Sequence, residues 1–383
     1  MRGRLYEAWV VSPSSREKVQ FLEFRACFSG RAFHVAYPRQ TQQAFLEGHA
    51  LAFDWFGGVS PILRYDNLKS AVKKVLRGRR RVETDRFIAL RSHYLYKAVF
   101  CIPGKEGAHE KGGVEGGAGR LRRNHLTPVP SPPSMDALNR TLRDTCAHDD
   151  RRTLEGRGCS VLEDWQQEVA HVLPLPASRF DTADVSTPRV DSKARVKVKT
   201  NHYSVPVRLF GRKVEVRTTA RRVEVLHEGR LVAEHGRLQG RHEQRLELDH
   251  YLELLRNKPG ALPGALPLRQ TRQRGAWPKS YDQLWERLVE RHGPSDGARQ
   301  LLDVLMLHRT HPLEDVHHAV SMALDLGCLE AGAIAVLLRQ LQAPHESCGL
   351  ATRGSAAFTD DPATASLVAS PVAPAGTPSS SQS

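Results

Sequence analysis

The predicted fold depends on one stretch, Gly57-Gly58-Val59-Ser60-Pro61-Ile62-Leu63-Arg64-Tyr65-Asp66-Asn67-Leu68-Lys69. Its two glycines predict a turn, its apolar residues predict a short strand, and Asp66 comes where that strand should end. A second carboxylate, Glu115, closes the segment from His109 to Glu115, at the predicted start of a helix. Between the two carboxylates, the run from Lys69 to Arg81 contains seven Lys or Arg residues.

Carboxylates at the ends of neighbouring elements, beside a cationic surface, suit metal-assisted chemistry on a phosphodiester. Two divalent ions about 3.5–4 Å apart can activate the attacking oxygen and stabilise the leaving oxygen. Mg²⁺ is bound by one or two carboxylates together with water and phosphate oxygens, and the basic run would hold a polyanion there. The structural alternative stays open, because Asp66-Asn67 could form a turn or cap a helix, and Glu115 could interact with a helix dipole.

Four segments of the sequence closely resemble IstA-type transposases: Gly57 to Lys69, Phe100 to Pro103, Lys111 to Glu115, and Arg122 to Leu126. These transposases are the larger proteins of two-gene bacterial insertion sequences and have a retroviral-integrase-like catalytic core. The resemblance extends from about Tyr6 to Gln342. It implies a ribonuclease-H-like α/β fold with an Asp, Asp, Glu triad, in which Asp66 matches the second acid and Glu115 the third. Their separation of 49 residues (115 − 66) fits the family pattern.

The resemblance also implies a reaction and its partners. Mg²⁺ (or Mn²⁺), bound by Asp66 and Glu115, would support cleavage of a phosphodiester and transfer of a 3′-hydroxyl end to target DNA. The implied partners are double-stranded DNA, an IstB-type AAA+ ATPase, and further copies of the chain assembled on DNA. The cations expected to contact DNA are Lys69, Lys73, Lys74, Arg79, Arg80, Lys111, Arg122 and Arg123.

The first acid of the triad is where the sequence departs from the family. In the resembled transposases it precedes a Tyr-Glu-Ala-Trp-Val motif, here Tyr6 to Val10, and the matching position is Arg4. Glu7 lies three residues further on, and it points to the opposite face because strand side chains alternate. The expectation is an N-terminally truncated chain, without the helix-turn-helix region of its relatives, whose catalysis is impaired. The alternative is a non-catalytic DNA-binding remnant or an inhibitor of transposition.

Composition agrees with a nucleic-acid partner. The 383 residues allow two or three domains, and 56 Lys or Arg against 42 Asp or Glu give a net charge of +14. Such a charge favours a polyanionic partner, although a generically basic protein is the alternative. The six cysteines show no CxxC pair or zinc-ligand spacing, which predicts reduced thiols. No apolar run suggests a membrane span or signal peptide, so a cytoplasmic, nucleoid-associated protein is expected.

Hydrophobic patterns predict the elements of the core. A three-stranded meander is expected over residues 5–38, followed by an amphipathic helix from about Gln42 to Phe56. Thr41 is its predicted N-cap and Gly57 its predicted stop, and His49 on its apolar stripe is expected to be a core histidine. The run from Lys97 to Ile102 predicts a strand buried on both faces. This order of elements is that of a ribonuclease-H-like core.

Five segments are predicted along the chain. They are a catalytic core of integrase type at 1–126, a linker with helical segments at 127–189, a small β-barrel at 190–245, a helical partner- or DNA-binding region at 246–342, and a disordered tail at 343–383. The barrel is inferred from strands every 8–12 residues and resembles the one of phage Mu transposase. Four amphipathic helices are expected in the helical region, one capped by Ser280 and one with Pro312 as its first residue.

Overall fold

The computed structural model of the chain describes residues 1–11, 15–65, 71–75, 81–101 and 119–342, excepting the side chains of residues 74 and 75. The predicted tail, residues 343–383, therefore lies outside the described residues. The elements of the N-terminal part are β1 (Arg2–Val11), β2 (Arg16–Arg25), β3 (Ala32–Tyr37), α1 (Gln42–Phe56), β4 (Ile62–Tyr65), β5 (Val72–Val75), β6 (Arg81–Glu83), α2 (Asp85–Tyr94) and β7 (Lys97–Phe100).

A five-stranded sheet in the order β3-β2-β1-β4-β7 organises this part. β1, β2 and β3 form the predicted antiparallel meander, whereas β4 runs parallel to β1 and β7 runs parallel to β4. β5 and β6 form a separate antiparallel pair. The predicted α/β order of three strands, a helix, a strand, a helix and a strand is confirmed, with the β5–β6 pair inserted.

Helix α1 covers one face of the sheet and has the predicted ends. Thr41 Oγ1 accepts a hydrogen bond from the backbone N–H of Ala44 at 3.1 Å, and Gly57 ends the helix with φ +66°, a conformation that costs glycine little. The apolar side of the helix packs on β2 and β3, and His49 is fully buried there, as predicted. Burial of this aromatic-rich core supplies the main driving force for folding.

The opposite face of the sheet is covered by α3 (residues 119–125) and α4 (Met135–Asp149). Leu138 and Leu142 of α4 belong to the same buried cluster as Phe21 of β2. The carboxamide of Asn139 on α4 makes the two hydrogen bonds that a neighbouring strand would make to β3. Its Oδ1 accepts from the Ala36 N–H at 2.7 Å, and its Nδ2 donates to the Ala36 carbonyl at 2.9 Å. Helix α5 (Val161–Glu168) follows, with a Ser160–Glu163 capping box.

The predicted strand after α2 differs from expectation. Among the described strands, β7 lies at the edge of the sheet rather than in its interior. Lys97 is exposed, Ala98 and Val99 are half-buried, and Phe100 is buried. The prediction of burial on both faces was wrong because an apolar run reports hydrophobicity and does not report whether a further strand pairs beside it.

The predicted small barrel is not confirmed. In the described residues the β-rich region forms two sheets, in the orders β14-β10-β9 and β13-β12-β11-β8, and no closed sheet. Both pack on one apolar core that includes Val196, Tyr203 and Val216. The edge strands β8 and β14 have only three and two residues, too few for the continuous pairing that closure requires. The strands are β8 (Asp184–Ser186), β9 (Arg195–Val198), β10 (Asn201–Ser204), β11 (Glu215–Thr218), β12 (Arg222–His227), β13 (Arg230–Gly236) and β14 (Gln244–Arg245).

The C-terminal region is helical, as predicted, with different helix starts. Ser280 lies within the first turn of its helix and Pro278 is the N-cap, while Pro312 is an N-cap rather than the first helical residue. Both prolines already have the extended ψ that precedes a helix, near 145°. The first two predicted helices are joined across a kink at Gly293, which has φ +79°. The helices are α6 (Leu252–Asn257), α7 (Leu266–Gln273), α8 (Lys279–Met306), α9 (Leu313–Leu326) and α10 (Ala331–Gln342).

None of the described helices is by itself long and apolar enough to cross a membrane. Helices α9 and α10 meet the criterion only when taken together, and they are bent by 120° at the break between them. Residues Val316, Val320 and Ile334 of this pair are buried against α8.

Gly58 provides a test of how the core is closed. A Cβ at Gly58 would lie 2.4 Å from Val172 Cγ2 and 2.9 Å from the Leu173 carbonyl oxygen, and Val59 exchanges two backbone hydrogen bonds with Leu173. We expect Gly58→Ala to lower the free energy of unfolding by about 1–3 kcal/mol, measured by denaturant unfolding. Gly158→Ala is the matched control, because nothing lies within 4 Å of its added Cβ. Equal stability of the two variants would contradict this packing.

Candidate active site

The predicted site residues fall into two groups. Asp66 and Glu115, together with Lys69, Arg79, Arg80 and Lys111, lie outside the described residues, as does the side chain of Lys74. Lys73, Arg122 and Arg123 are described. The structure therefore describes the strands and helices that flank Asp66 and Glu115 in the chain, and the site is built from these elements.

Strand β4 leads directly to Asp66 and is held between two parallel neighbours. Gly3 of β1 pairs with Tyr65, the last residue of β4, and Tyr65 pairs with Phe100 of β7. A Cβ on Gly3 would lie 3.1 Å from Phe24 and 3.2 Å from Tyr65, so a larger residue would require these rings to shift by a few tenths of an ångström. The carboxyl ends of parallel strands β4 and β7 consequently lie side by side, which is where α/β sheets place binding residues.

A buried polar chain fixes Tyr65. His49 is fully buried, and burial lowers its pKa to about 3, so its imidazole is neutral. Its Nδ1 lies 2.7 Å from the Phe45 carbonyl oxygen, which can only accept, so Nδ1 carries the proton. Nε2 must then accept from the Tyr65 hydroxyl at 2.8 Å. The Tyr65 hydroxyl also lies 3.0 Å from the Tyr96 hydroxyl.

Arg4, at the position matched to the first acid, faces a buried carboxylate. Arg4 pairs across the strands with Glu23 of β2, and Glu23 pairs with His34 of β3. Glu23 is 1% exposed, and neither of its carboxylate oxygens has a hydrogen-bond partner among the residues that the structure describes. Burial raises the pKa of Glu23 to about 7, against the opposing effects of Arg25 and Arg4. A guanidinium and a carboxyl group with a raised pKa thus lie side by side on β1 and β2.

Glu23 was missed by the sequence reasoning, although the sequence carries a signal for it. Along β2, Leu22 and Phe24 face α1 while Val19, Phe21 and Glu23 face α4, so both faces of the strand are apolar around Glu23. A carboxylate inside such a doubly apolar strand cannot reach solvent, and its burial could have been predicted.

Helix α3, which follows Glu115 in the chain, is tied to α4 and to β1. Asp149 at the end of α4 lies 3.2 Å from Arg120 and 3.3 Å from His125. The Arg122 guanidinium lies 5.3 Å from the Tyr6 ring centroid and donates to the Glu7 carbonyl. Arg122 is thereby held on β1, and both Arg122 and Arg123 are exposed to solvent.

The described cations differ in their availability to a polyanion. Lys73 forms an ion pair of 2.8 Å with Asp85, which reduces its net charge. The described residues contain no group of three or more His, Cys, Asp or Glu side chains that could hold a metal ion. Two carboxylates such as Asp66 and Glu115 are hard oxygen donors of the kind that Mg²⁺ prefers, whereas the guanidinium of Arg4 cannot be a ligand.

Comparison with known proteins relates the chain to mobile genetic elements. Residues 175–247 match the family described as the C-terminal domain of Mu transposase. A transposase of Aminobacter aminovorans is 35% identical over 343 residues, which cover 88% of this chain and 65% of that protein. The transposase for insertion sequence element IS21 of Pseudomonas aeruginosa is 31% identical over 232 residues, 60% of this chain and 58% of that protein. The chain thus spans about three fifths of the length of these relatives.

A solved structure also shows a likeness. The catalytic core domain of HTLV-2 integrase, solved in complex with magnesium, has 12% sequence identity and a TM-score of 0.30. The likeness covers 43% of this chain and 93% of the integrase chain.

The raised pKa of Glu23 predicts a pH-dependent stability. The folded state prefers protonated Glu23, so its stabilising effect is complete below the unfolded pKa of 4.5 and is lost as the pH rises to about 7. We expect the stability of Glu23→Gln, relative to the unsubstituted chain, to increase by about 2–3 kcal/mol from pH 5 to pH 8. Denaturant unfolding at both pH values measures this, with Glu17→Gln, an exposed site on the same strand, as control. An unchanged difference would place Glu23 in contact with water.

Proposed function

We propose that this chain, which belongs to the IstA-type transposases of insertion sequences, acts on DNA by metal-dependent transfer of phosphodiester bonds. The observation that carries the proposal is the 35% identity over 343 residues with a transposase. The parallel arrangement of β1, β4 and β7 supports a ribonuclease-H-like core, and the net charge of +14 supports a polyanionic substrate.

Asp66 and Glu115 are the proposed ligands of Mg²⁺ or Mn²⁺. When bound, such an ion polarises the phosphodiester and lowers the cost of charge on the attacking and leaving oxygens. The role of the surrounding chain is positional. Tyr65, fixed by His49 and by its neighbours on β1 and β7, holds the end of the strand from which Asp66 follows. A rigid support of this kind keeps a catalytic group within the narrow limits that the reaction tolerates.

Arg4 is proposed to limit the reaction. A guanidinium at the position of the family's first acid contributes a positive charge where a ligand should be, and it repels a divalent cation. We therefore propose that this chain binds DNA and transfers strands weakly or not at all. If strand transfer stays absent after Arg4 is replaced by Asp, the alternative role of a non-catalytic DNA-binding protein is favoured.

Partner binding is proposed for the C-terminal helices. By the resemblance, the helical region 246–342 would contact an IstB-type ATPase, and several copies of the chain would assemble on the DNA ends. Leu313 and Leu326 of α9 are 60% and 62% exposed, which suits contact with another protein. A transposase acting on genomic DNA would work in the bacterial cytoplasm, at the nucleoid.

Substitutions at Arg4, Asp66 and Glu115 test the proposed catalysis. In a strand-transfer assay with labelled element ends and Mg²⁺, we expect Arg4→Asp to raise the yield above that of the unsubstituted chain, because it restores a carboxylate. Asp66→Ala or Glu115→Ala in the Arg4→Asp background should remove at least about 100-fold of that activity, the scale of losing one catalytic group. Asp144→Ala, at an exposed position of α4, is the control. Activity that persists without Asp66 would refute the assignment.

The DNA contacts are tested by salt dependence. Each phosphate contact contributes about 0.9 to the slope of log K against log salt concentration. Because Arg123 is exposed, we expect Arg123→Ala to reduce the slope for duplex DNA by about 1. Lys73→Ala should reduce it less, since Asp85 already neutralises Lys73. Arg222→Ala, which removes a cation paired with Glu234 in the β-rich region, is the control. Identical slopes for all variants would exclude Arg123 from the contact.

A further inference from the structure

A groove lies along the free edge of β1, away from the pairing with β4. Within the described part of the chain, β4 pairs with β1 at Arg2 and Gly3 only. The chain after α3 runs beside the rest of β1, where the Val11 N–H donates to the Pro130 carbonyl at 2.9 Å. The space between them has a volume of about 460 Å³. This is within the range of sites for small organic groups.

The wall of the groove is apolar and includes an exposed tryptophan. Ala8, Trp9, Leu126 and Val129 line it. Trp9 is 42% exposed, whereas the other four tryptophans of the chain are half-buried or buried. The Arg16 guanidinium and the Lys18 ammonium lie 4.9 and 5.4 Å from the Trp9 ring centroid, and the part of the indole that stays in water offers an apolar surface for binding a ring.

The rim of the groove is cationic. Lys18 and Arg122 line it, and Arg16 adjoins it with its guanidinium 4.9 Å from the Trp9 ring centroid. Among the described residues that line the groove, the only carboxylate is Glu7, which lies 3.6 Å from Lys18. Three cations against one anion leave the rim positive. Arg122 is held there by its bond to the Glu7 backbone carbonyl and its contact with the Tyr6 ring.

We infer that the Trp9 groove binds an unpaired nucleotide of a single-stranded DNA overhang. Its base stacks on the indole of Trp9, and Lys18 and Arg122 hold the flanking phosphates. Aromatic faces combined with a cationic track are the physical means by which proteins bind single strands without reading sequence. In a blunt duplex the interior bases are paired and stacked on both faces, so an unpaired base in an overhang is the form that can enter the groove. The inference rests on the proposed function, because it specifies which form of DNA the same core takes.

The experiment compares two DNA molecules with the full chain. Fluorescence anisotropy measures the affinity for a blunt duplex and for the same duplex with a five-nucleotide thymidine overhang. We expect Trp9→Ala to weaken binding of the overhang DNA by about 5- to 150-fold, the range seen when a stacking aromatic is removed, with little change for the blunt duplex. Trp9→Phe should retain most of the affinity. Phe28→Ala is the matched control, since Phe28 is 47% exposed under Arg157 but does not line the groove.

A second measurement reports on the site directly. Oligothymidine added to the unsubstituted chain should quench its tryptophan fluorescence, and Trp9→Phe should remove most of the quenching. A melting curve first shows that Trp9→Ala is folded. If this variant then binds both DNA molecules as tightly as the unsubstituted chain does, the groove assignment is wrong and the proposed function stands. Equal weakening of both DNA molecules by Trp9→Ala also overturns it. If the unsubstituted chain binds neither, the groove assignment and the proposed function both fail.

Discussion

The close packing of β1 against β4 is the constraint on which the core depends. Gly3 brings the two strands together because any side chain would meet the rings of Phe24 and Tyr65. Tyr65 cannot move away, since its hydroxyl is bound to a neutral histidine that is itself fixed to a helix carbonyl. Contacts within the core therefore hold the backbone end of β4 in place.

The β-rich region is joined to this core mainly through arginines. Arg221 bonds to Asp136 of α4 and approaches Glu47 of α1 at 3.6 Å, and Arg237 donates to Gln43 at 3.1 Å. Arg179 of the connecting segment pairs with Asp54. A junction made of guanidinium groups resembles a transient protein–protein interface more than a domain core, and its strength varies with salt because the pairs are partly exposed.

The sequence predicts local features of the core better than its long-range pairings. Helix α1, its cap at Thr41, its end at Gly57 and the buried state of His49 all follow from periodicity and from the chemistry of helix ends. The edge position of β7 and the two separate sheets of the β-rich region do not, because they depend on which strands meet in space. The burial of Glu23 is partly predictable: the apolar residues around it in β2 are visible in the sequence, but the covering of both faces of the strand is a long-range feature.

Asn139 has a consequence for how copies of the chain can associate. An outermost strand normally invites a further strand to join by backbone hydrogen bonds, which is a common route to uncontrolled aggregation. On β3 the carboxamide of Asn139 already occupies both bonding groups of Ala36, and α4 lies over the strand. A sheet that continues from one molecule into the next through β3 would require α4 to leave the apolar face of the sheet on which it packs. Helix α4 and its Asn139 together thus cover this edge of the core against pairing with a second copy.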